Sequence, residues 1–384
     1  MEQTLGIYIH VPFCEHKCYY CDFYSIVAGA HADFAGVVSS YLVSLRKEAL
    51  LYQSQWAGHY FNSLFLGGGT PTILPAEDLA ELVTFFRTEL PLSPQAEITV
   101  EANPNTLSYE GLKLLGAAGV NRISLGAQAF QDSLLRSLGR LHSADQIISS
   151  VKRIRRAGIG NVNLDLMFGL PGQTMGDWVD TLEQALALEP EHFSCYSLIL
   201  EEGTPFADWE RAGLLKLPSH DLQAEMFETA IRILTAAGYV HYEISNFSRP
   251  GRQSRHNLLY WYNQPFLGLG PGATGYLGRT RYTNAPDVWG YIHDIGEGKL
   301  PTRSSISVTL EEEMDETMMV GMRLLAGVSE ESFRLRYGVS YFDVYPEQIA
   351  DLMARGLVEH TDGHLRVTKR GLFLENLVSG AFLR

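Results

Sequence analysis

Three of the four cysteines fall within one short segment, Cys14-Glu-His-Lys-Cys18-Tyr-Tyr-Cys21. Clustered thiols in a chain with no wider cysteine framework point to metal rather than to a disulfide. Spacings of this kind let one loop wrap three thiolates around an iron–sulfur cubane, and thiolate softness suits iron sulfide. Three ligands for four irons leave one iron open, and an open position makes a metal centre reactive rather than structural, as it does at zinc. The same cysteines with His10 or His16 would also make a zinc loop. The remaining cysteine, Cys195, lies in the apolar run HFSCYSLIL and reads as a buried strand thiol.

The elements around this loop alternate. Apolar, β-rich runs at 6–11, 60–66, 97–101, 122–125, 161–167 and 192–200 are separated by helical patterns at 34–51, 76–88, 108–118, 144–157 and 174–188. Strands alternating with helices predict right-handed βαβ units and a parallel sheet, an α/β fold. Gly and polar residues follow the strands at 67–71, 102–104, 126–128 and 169–173. Ligands of parallel α/β proteins bind at the C-terminal strand ends, so these segments mark one face as the site. The cysteine loop follows the first strand on that face. Asp165 sits inside the run VNLDLMF, where an unpaired carboxylate is expensive, so it should face a polar partner.

A further helix at 221–237 leads to the strand-like HYEISNF, and then to a Gly-, Tyr- and Trp-crowded stretch, 248–301, that reads as a long functional loop. From residue 308 the pattern becomes three helices, a hairpin turning at Asp362-Gly363 and a last helix at 372–382, which resembles a winged helix. The expected division is residues 1–240, a connecting segment 241–305, and a C-terminal domain 306–384. The net charge of −14 and the non-basic C-terminal helices argue against a nucleic-acid partner. No apolar run reaches 18 residues and no signal peptide is visible, so a cytoplasmic protein without a transmembrane segment is expected, with peripheral membrane contact left open.

Several motifs in order carry a family resemblance: Tyr8-Ile-His-Val-Pro-Phe-Cys14 with Cys18 and Cys21, Gly67-Gly-Gly-Thr-Pro71, Glu101-Ala-Asn-Pro104, Gly126-Ala-Gln128 and Asn163-Leu-Asp-Leu-Met-Phe-Gly-Leu-Pro171. The chain resembles, over nearly its whole length, the radical S-adenosylmethionine (SAM) superfamily, and within it the oxygen-independent coproporphyrinogen III oxidases and their haem-chaperone relatives. The resemblance implies a partial (β/α)6 TIM-like barrel and a [4Fe–4S] cluster on Cys14, Cys18 and Cys21, with SAM chelating the open iron. It implies SAM contacts at Tyr8, Tyr20, Gly68, Gly69, Thr70, Glu101, Gln128, Arg140 and Asp165. Tyr20, Gly69, Thr70, Gln128, Arg140 and Asp165 resemble the second of two SAM sites in the oxidases.

Two departures separate the branches. The oxidases carry a further cysteine where this chain has Phe23, and an extension before the first strand where this chain has a few residues. Both resemble the haem-chaperone branch, HemW, which also carries the pattern His256-Asn-Leu-Leu-Tyr260-Trp261. An imidazole can ligate haem iron, Tyr260 and Trp261 can stack on a porphyrin, and Arg252 and Arg255 can pair with propionates. The expected function is haem binding and transfer to an acceptor protein, with the SAM cluster, served by an electron donor, in a supporting role. The rivals are radical decarboxylation of coproporphyrinogen III and radical SAM modification of RNA.

Overall fold

The computed structural model describes residues 4–56 and 58–384. Six parallel strands follow the expected order: β1 (Thr4–Val11), β2 (Tyr60–Gly68), β3 (Leu92–Ala102), β4 (Arg122–Gln128), β5 (Asn161–Phe168) and β6 (His192–Ser197). Helices α1 (Phe34–Leu51), α2 (Ala76–Glu89), α3 (Tyr109–Ala118), α4 (Ala144–Arg156) and α5 (Met175–Leu186) connect them. α4 starts at a capping box between Ser143 and Gln146, and α5 at one between Thr174 and Asp177. Each box satisfies N–H groups that the first helical turn leaves without partners.

The strands alternate in character. Ile7, Ile9, Leu64, Leu66, Ile98, Val100, Ile123, Leu125, Val162, Leu164 and Phe193 point outward and are buried against the helices. The alternate positions are largely polar or small: Gly6, Tyr8, Ser63, Glu97, Thr99, Glu101, Arg122, Ser124, Asn163, Asp165, His192 and Ser194. Side chains alternate faces along a strand, so the curved sheet is held by its outer layer and presents a polar lumen inside.

The stretch 248–301 is not a loop. It forms α6 (Arg255–Trp261), three strands and a helix, Val288–Gly296. With β7 (Val240–Glu243) and β8 (Asn246–Ser248) as a hairpin before it, its strands are β9 (Phe266–Leu269), β10 (Thr274–Leu277) and β11 (Thr280–Asn284), followed by β12 (Thr302–Ser307). The whole sheet runs β12-β11-β10-β9-β1-β2-β3-β4-β5-β6-β8-β7. β9 pairs parallel with β1, from Gly6↔Phe266 to Ile9↔Leu269. It takes the edge that a closed barrel would give to β6, so the barrel is partial. Glycine hid these short strands in the sequence: a Cβ on Gly268 would lie 1.9 Å from the Thr274 carbonyl oxygen, so close β9–β10 approach demands glycine there.

The C-terminal region has its own apolar cluster, including Met318, Met322, Phe333, Tyr345, Leu352, Leu365 and Phe382. A three-stranded sheet of Val328–Ser329, His364–Val367 and Val358–Thr361 packs with its helices. The last expected helix is broken in two, Lys369–Leu372 and Glu375–Gly380, because Leu374 leaves the helical region at φ −123° and ψ 28°. No described helix is long and apolar enough to cross a membrane.

Candidate cluster and cofactor site

β1 ends at Val11, and Pro12 leads into the cysteine loop. The loop is closed at its base, where Ile26 N–H donates to the Pro12 carbonyl at 2.8 Å and Phe13–Cys14 pairs with Ile26–Val27. Tyr19 anchors its far side. Its N–H donates to the Leu138 carbonyl, its own carbonyl accepts from Phe206 N–H, and its ring packs 5.1 Å from that of Trp209. Cys14 is buried, Cys18 and Cys21 are half-buried, and all three are free thiols. Burial, opposed by hydrogen bonds and reinforced by the neighbouring thiols, pushes Cys14 up and Cys21 up to about 11. Burial of this kind does not bar ligation, since a bound metal deprotonates its thiol ligands outright.

The zinc alternative lacks its histidines. His10 Nε2 donates to the Tyr24 carbonyl at 2.8 Å, which leaves Nδ1 to accept from Tyr8 OH at 3.0 Å. His16 sits edge-on to Tyr19. Among the described residues no three His, Cys, Asp or Glu side chains converge on a point fit for a single ion. Cys195 is 1% exposed on the outer face of β6, and burial raises its thiol far above the usual range. It is structural.

The Gly67–Thr70 turn at the end of β2 presses on this loop. Gly69 N–H donates to the Val11 carbonyl and Thr70 N–H to the Phe13 carbonyl, at 2.8 and 2.7 Å. A Cβ on Gly69 would lie 2.5 Å from the Phe13 oxygen, and Gly68 adopts φ +104° against the His10 ring. These glycines therefore have a packing reason as well as a ligand reason. Thr70 Oγ1 lies 3.7 Å from Cys14 Sγ and accepts from Asn103 Nδ2 at 3.1 Å. Asn103 Oδ1 accepts from Arg140 Nη2 at 2.6 Å, and Arg140 Nη1 reaches to 3.6 Å from Cys18 Sγ. Cys14, Thr70, Asn103, Arg140 and Cys18 thus form one connected chain. Asn103 was visible in the sequence only as part of a motif, and the chain shows its role as a brace.

Arg140 also donates to the Gly126 carbonyl. One position on, β4 bulges against β5, and Gln128 takes φ 68°, rare for a non-glycine residue. The bulge aims Gln128 so that its Oε1 accepts from Tyr196 OH at 3.3 Å. Asp165 accepts from Ser124 Oγ at 3.1 Å and Asn163 Nδ2 at 2.8 Å. Burial raises its carboxyl against these hydrogen bonds. Glu101 accepts from Gly68 N–H at 3.2 Å, and burial with Asp165 facing it pushes its carboxyl up to about 8. Two half-buried carboxyls and a guanidinium beside the thiols can receive a ligand bearing hydroxyl, ammonium and carboxylate groups. Tyr20 shares this end of the lumen, beside Arg140 and the Cys18 and Cys21 thiols, and burial holds its phenol neutral. Tyr8 stacks on Phe65.

α6 lies at the other end of the lumen. Its first N–H groups, of Arg255 and His256, both donate to Glu97 at 3.2 Å. His256 is 1% exposed, stacked 5.1 Å from Phe65. Its Nδ1 is hydrogen-bonded to Ser63 Oγ and its Nε2 to Tyr260 OH, each at 2.8 Å. Burial, aided by Arg122, pushes its pKa down to about 3. His256 and Tyr260 share one helical face, as i, i+4 spacing requires. Trp261 does not share it: its ring lies under the Arg323 guanidinium at 4.6 Å, toward the C-terminal cluster. Arg252 and Arg255 are exposed, and Arg255 donates to the Gln95 carbonyl. The structure therefore does not gather this motif on one porphyrin-sized face, because a seven-residue helix turns Trp261 away from the lumen.

Comparison with known proteins places the whole chain in a family. The Radical SAM superfamily profile matches residues 8–185 and the HemN C-terminal domain profile matches 308–374. The Escherichia coli coproporphyrinogen III oxidase HemN, described as a radical SAM enzyme, superposes with a TM-score of 0.85 over 99% of this chain and 90% of its own, at 24% identity, a likeness of fold. A Bacillus subtilis protein named heme chaperone HemW is 42% identical over 98% of both chains. The Lactococcus lactis protein of that name is 39% identical over 100% of this chain and 98% of its own, and the Escherichia coli one 34% over 97% of each. Identity of that order from end to end shows that the chain belongs to the HemW heme chaperone family, within the radical SAM superfamily.

Proposed function

We propose that this protein binds haem and hands it to an acceptor protein, in the cytoplasm and without a nucleic-acid partner. Cys14, Cys18 and Cys21 would hold a [4Fe–4S] cluster. Tyr8, Tyr20, Gly68, Gly69, Thr70, Glu101, Gln128, Arg140 and Asp165 would surround SAM. The observation that carries the reading is end-to-end identity with proteins named as haem chaperones, together with Phe23 where the oxidases place another cysteine. Phe23 is 59% exposed on the loop, and its side chain has no atom that could ligate a metal.

With SAM bound and an electron supplied, such a cluster is a source of one-electron chemistry. The chain's own residues do the positioning. The Thr70–Asn103–Arg140 brace fixes two of the thiols relative to one another, and Arg140 directs an N–H at a sulfur. Tyr8, held by His10, and the closed base of the loop keep the adjoining lumen wall rigid.

His256, Tyr260 and Trp261 remain the haem candidates, under a condition the geometry sets. His256 can offer a nitrogen only by giving up Ser63 or Tyr260, and Trp261 can stack only from the outer side of α6. Haem capture by these residues therefore requires α6 to shift.

The deciding experiment is a haem titration and a coproporphyrinogen III turnover assay on one anaerobic sample. The expected result is a stoichiometric Soret band, weakened or shifted by His256→Ala, with no decarboxylated product. Catalytic turnover, with haem bound no better than by an unrelated protein, would sink the reading in favour of the oxidase.

A further inference from the structure

The inner face of β4 opens with Arg122, which is 2% exposed. Its neighbours in register are Thr99 on β3 and Asn161 on β5. Arg122 Nε has no hydrogen-bond partner, and among the described residues the guanidinium takes part in no ion pair. Thr99 Oγ1 and Asn161 Oδ1 are also without partners. Three polar groups side by side across three strands thus lack the bonds that burial ordinarily demands.

The acids that could answer Arg122 are occupied. Glu97 accepts from Arg255 N–H and His256 N–H, Glu101 from Gly68 N–H, and Asp165 from Ser124 and Asn163. Beyond the dominant effect of burial, the charge of Arg122 also lowers the pKa of His192 and of His256, which places it between β6 and α6. The charge of Arg122 also lowers the carboxyls of Glu101 and Asp165 against the larger effect of burial, but neither acid is hydrogen-bonded to it. A buried cation without a partner is costly, whereas one that meets an anion with good geometry is not.

We propose that Arg122 is the anchor for a ligand carboxylate at the floor of the lumen. The planar guanidinium fork matches a carboxylate in two parallel hydrogen bonds, and Thr99 beside it supplies a hydroxyl donor. A dianionic phosphate is disfavoured by Glu97 and Asp165 nearby. The floor is not the cluster end. Gly126, whose carbonyl meets Arg140, lies four residues further along β4, or about 13 Å at strand rise. The carboxylate that binds here is therefore not one held at the cluster.

Two ligands carry the required group: haem, through its propionates, which rests on the proposed function, and a second SAM molecule, distinct from one chelating the cluster, through its aminoacyl end. The test uses anaerobically reconstituted full-length protein, parent and Arg122→Gln, with two matched pairs of probes. Haem is compared with its dimethyl ester, and SAM with decarboxylated SAM, the latter pair read as the second equivalent on protein whose cluster is already occupied by SAM. In the parent at least one pair should differ in affinity by roughly tenfold or more, the usual weight of a charge-assisted hydrogen bond. Arg122→Gln should erase that difference by weakening only the acid form, and the affected pair names the source. If haem fails to bind the parent at all, the haem reading falls while the SAM pair still decides the role of Arg122.

Ligand-free stability gives a second readout. Removing an unpaired buried charge should raise the melting temperature of the protein without haem or SAM. A fall of several degrees would make Arg122 a structural counter-charge to the lumen acids and overturn the proposal. So would a discrimination that survives Arg122→Gln in both pairs, or a parent that discriminates in neither, as expected if bound water alone satisfied the guanidinium.

Discussion

Arg140 Nη1 lies 3.6 Å from Cys18 Sγ while the other arm of the same guanidinium holds Asn103 at 2.6 Å. A residue beyond the cysteine motif is thus bonded directly to a proposed cluster ligand. Hydrogen bonds and positive charge near a cluster sulfur raise its reduction potential. Arg140→Gln should keep iron but lower the cluster potential by tens of millivolts, as read by redox-poised electron paramagnetic resonance. An unchanged potential would make Arg140 a brace without electronic effect.

The three thiols should act as a set. Anaerobic reconstitution should yield about four irons and four sulfides per chain. Cys14→Ala, Cys18→Ala and Cys21→Ala should each abolish that content, and Cys195→Ala should not. Iron and acid-labile sulfide analysis measures it. Retention of zinc alone, with no iron–sulfur absorption, would refute the cluster.

Glu101 and Asp165 stand on the inner face of the sheet with one strand between them, close enough for the charge of Asp165 to raise the Glu101 carboxyl. Glu101→Ala and Asp165→Ala should weaken SAM binding about tenfold or more without removing iron, since each deletes a charged or strong acceptor for ligand donors. The effect of SAM on the spectrum of the reduced cluster reports the affinity. If both variants bind SAM like the parent, the pocket lies elsewhere.

Glu48 gives a stability test far from any ligand. Wholly buried on α1, it accepts from Gly270 N–H at 2.8 Å, Asn284 Nδ2 at 2.7 Å and Tyr291 OH at 2.7 Å. Burial outweighs these bonds and pushes its carboxyl up to about 7. A carboxyl whose pKa rises on folding stabilises below its unfolded value and loses that contribution as pH climbs through the folded value. The parent should therefore lose up to about 3 kcal/mol between pH 4.5 and pH 8 from this group. Glu48→Gln should flatten that slope in urea titrations at several pH values. A slope identical in both proteins would show that Glu48 is ionised throughout.

Much of the frame was legible because period and punctuation agreed. The helical pattern at 34–51 coincides with Phe34–Leu51, and each barrel strand was found, with bounds shifted by up to five residues. The first strand, the loop and its thiols followed in order. What was not legible depends on facing and distance. β9 to β11 are four or five residues long and rich in Gly and Tyr, so composition resembled a loop. Residue type alone could not show that Trp261 turns away from His256. Asn103 showed only as a member of a motif and Arg122 not at all, since one acts through partners on other elements and the other through partners it lacks.

The alternation along the barrel strands has a consequence for how this chain can vary. Ile98, Val100, Leu164 and Leu166 bind the sheet to its helices, while Thr99, Glu101, Asn163 and Asp165 on the same strands face the lumen. Fold and recognition are written on interleaved positions, one residue apart. Substitutions on the inward set can retune what the lumen accepts while the outward set keeps the architecture, so relatives can differ in cargo or chemistry without differing in shape.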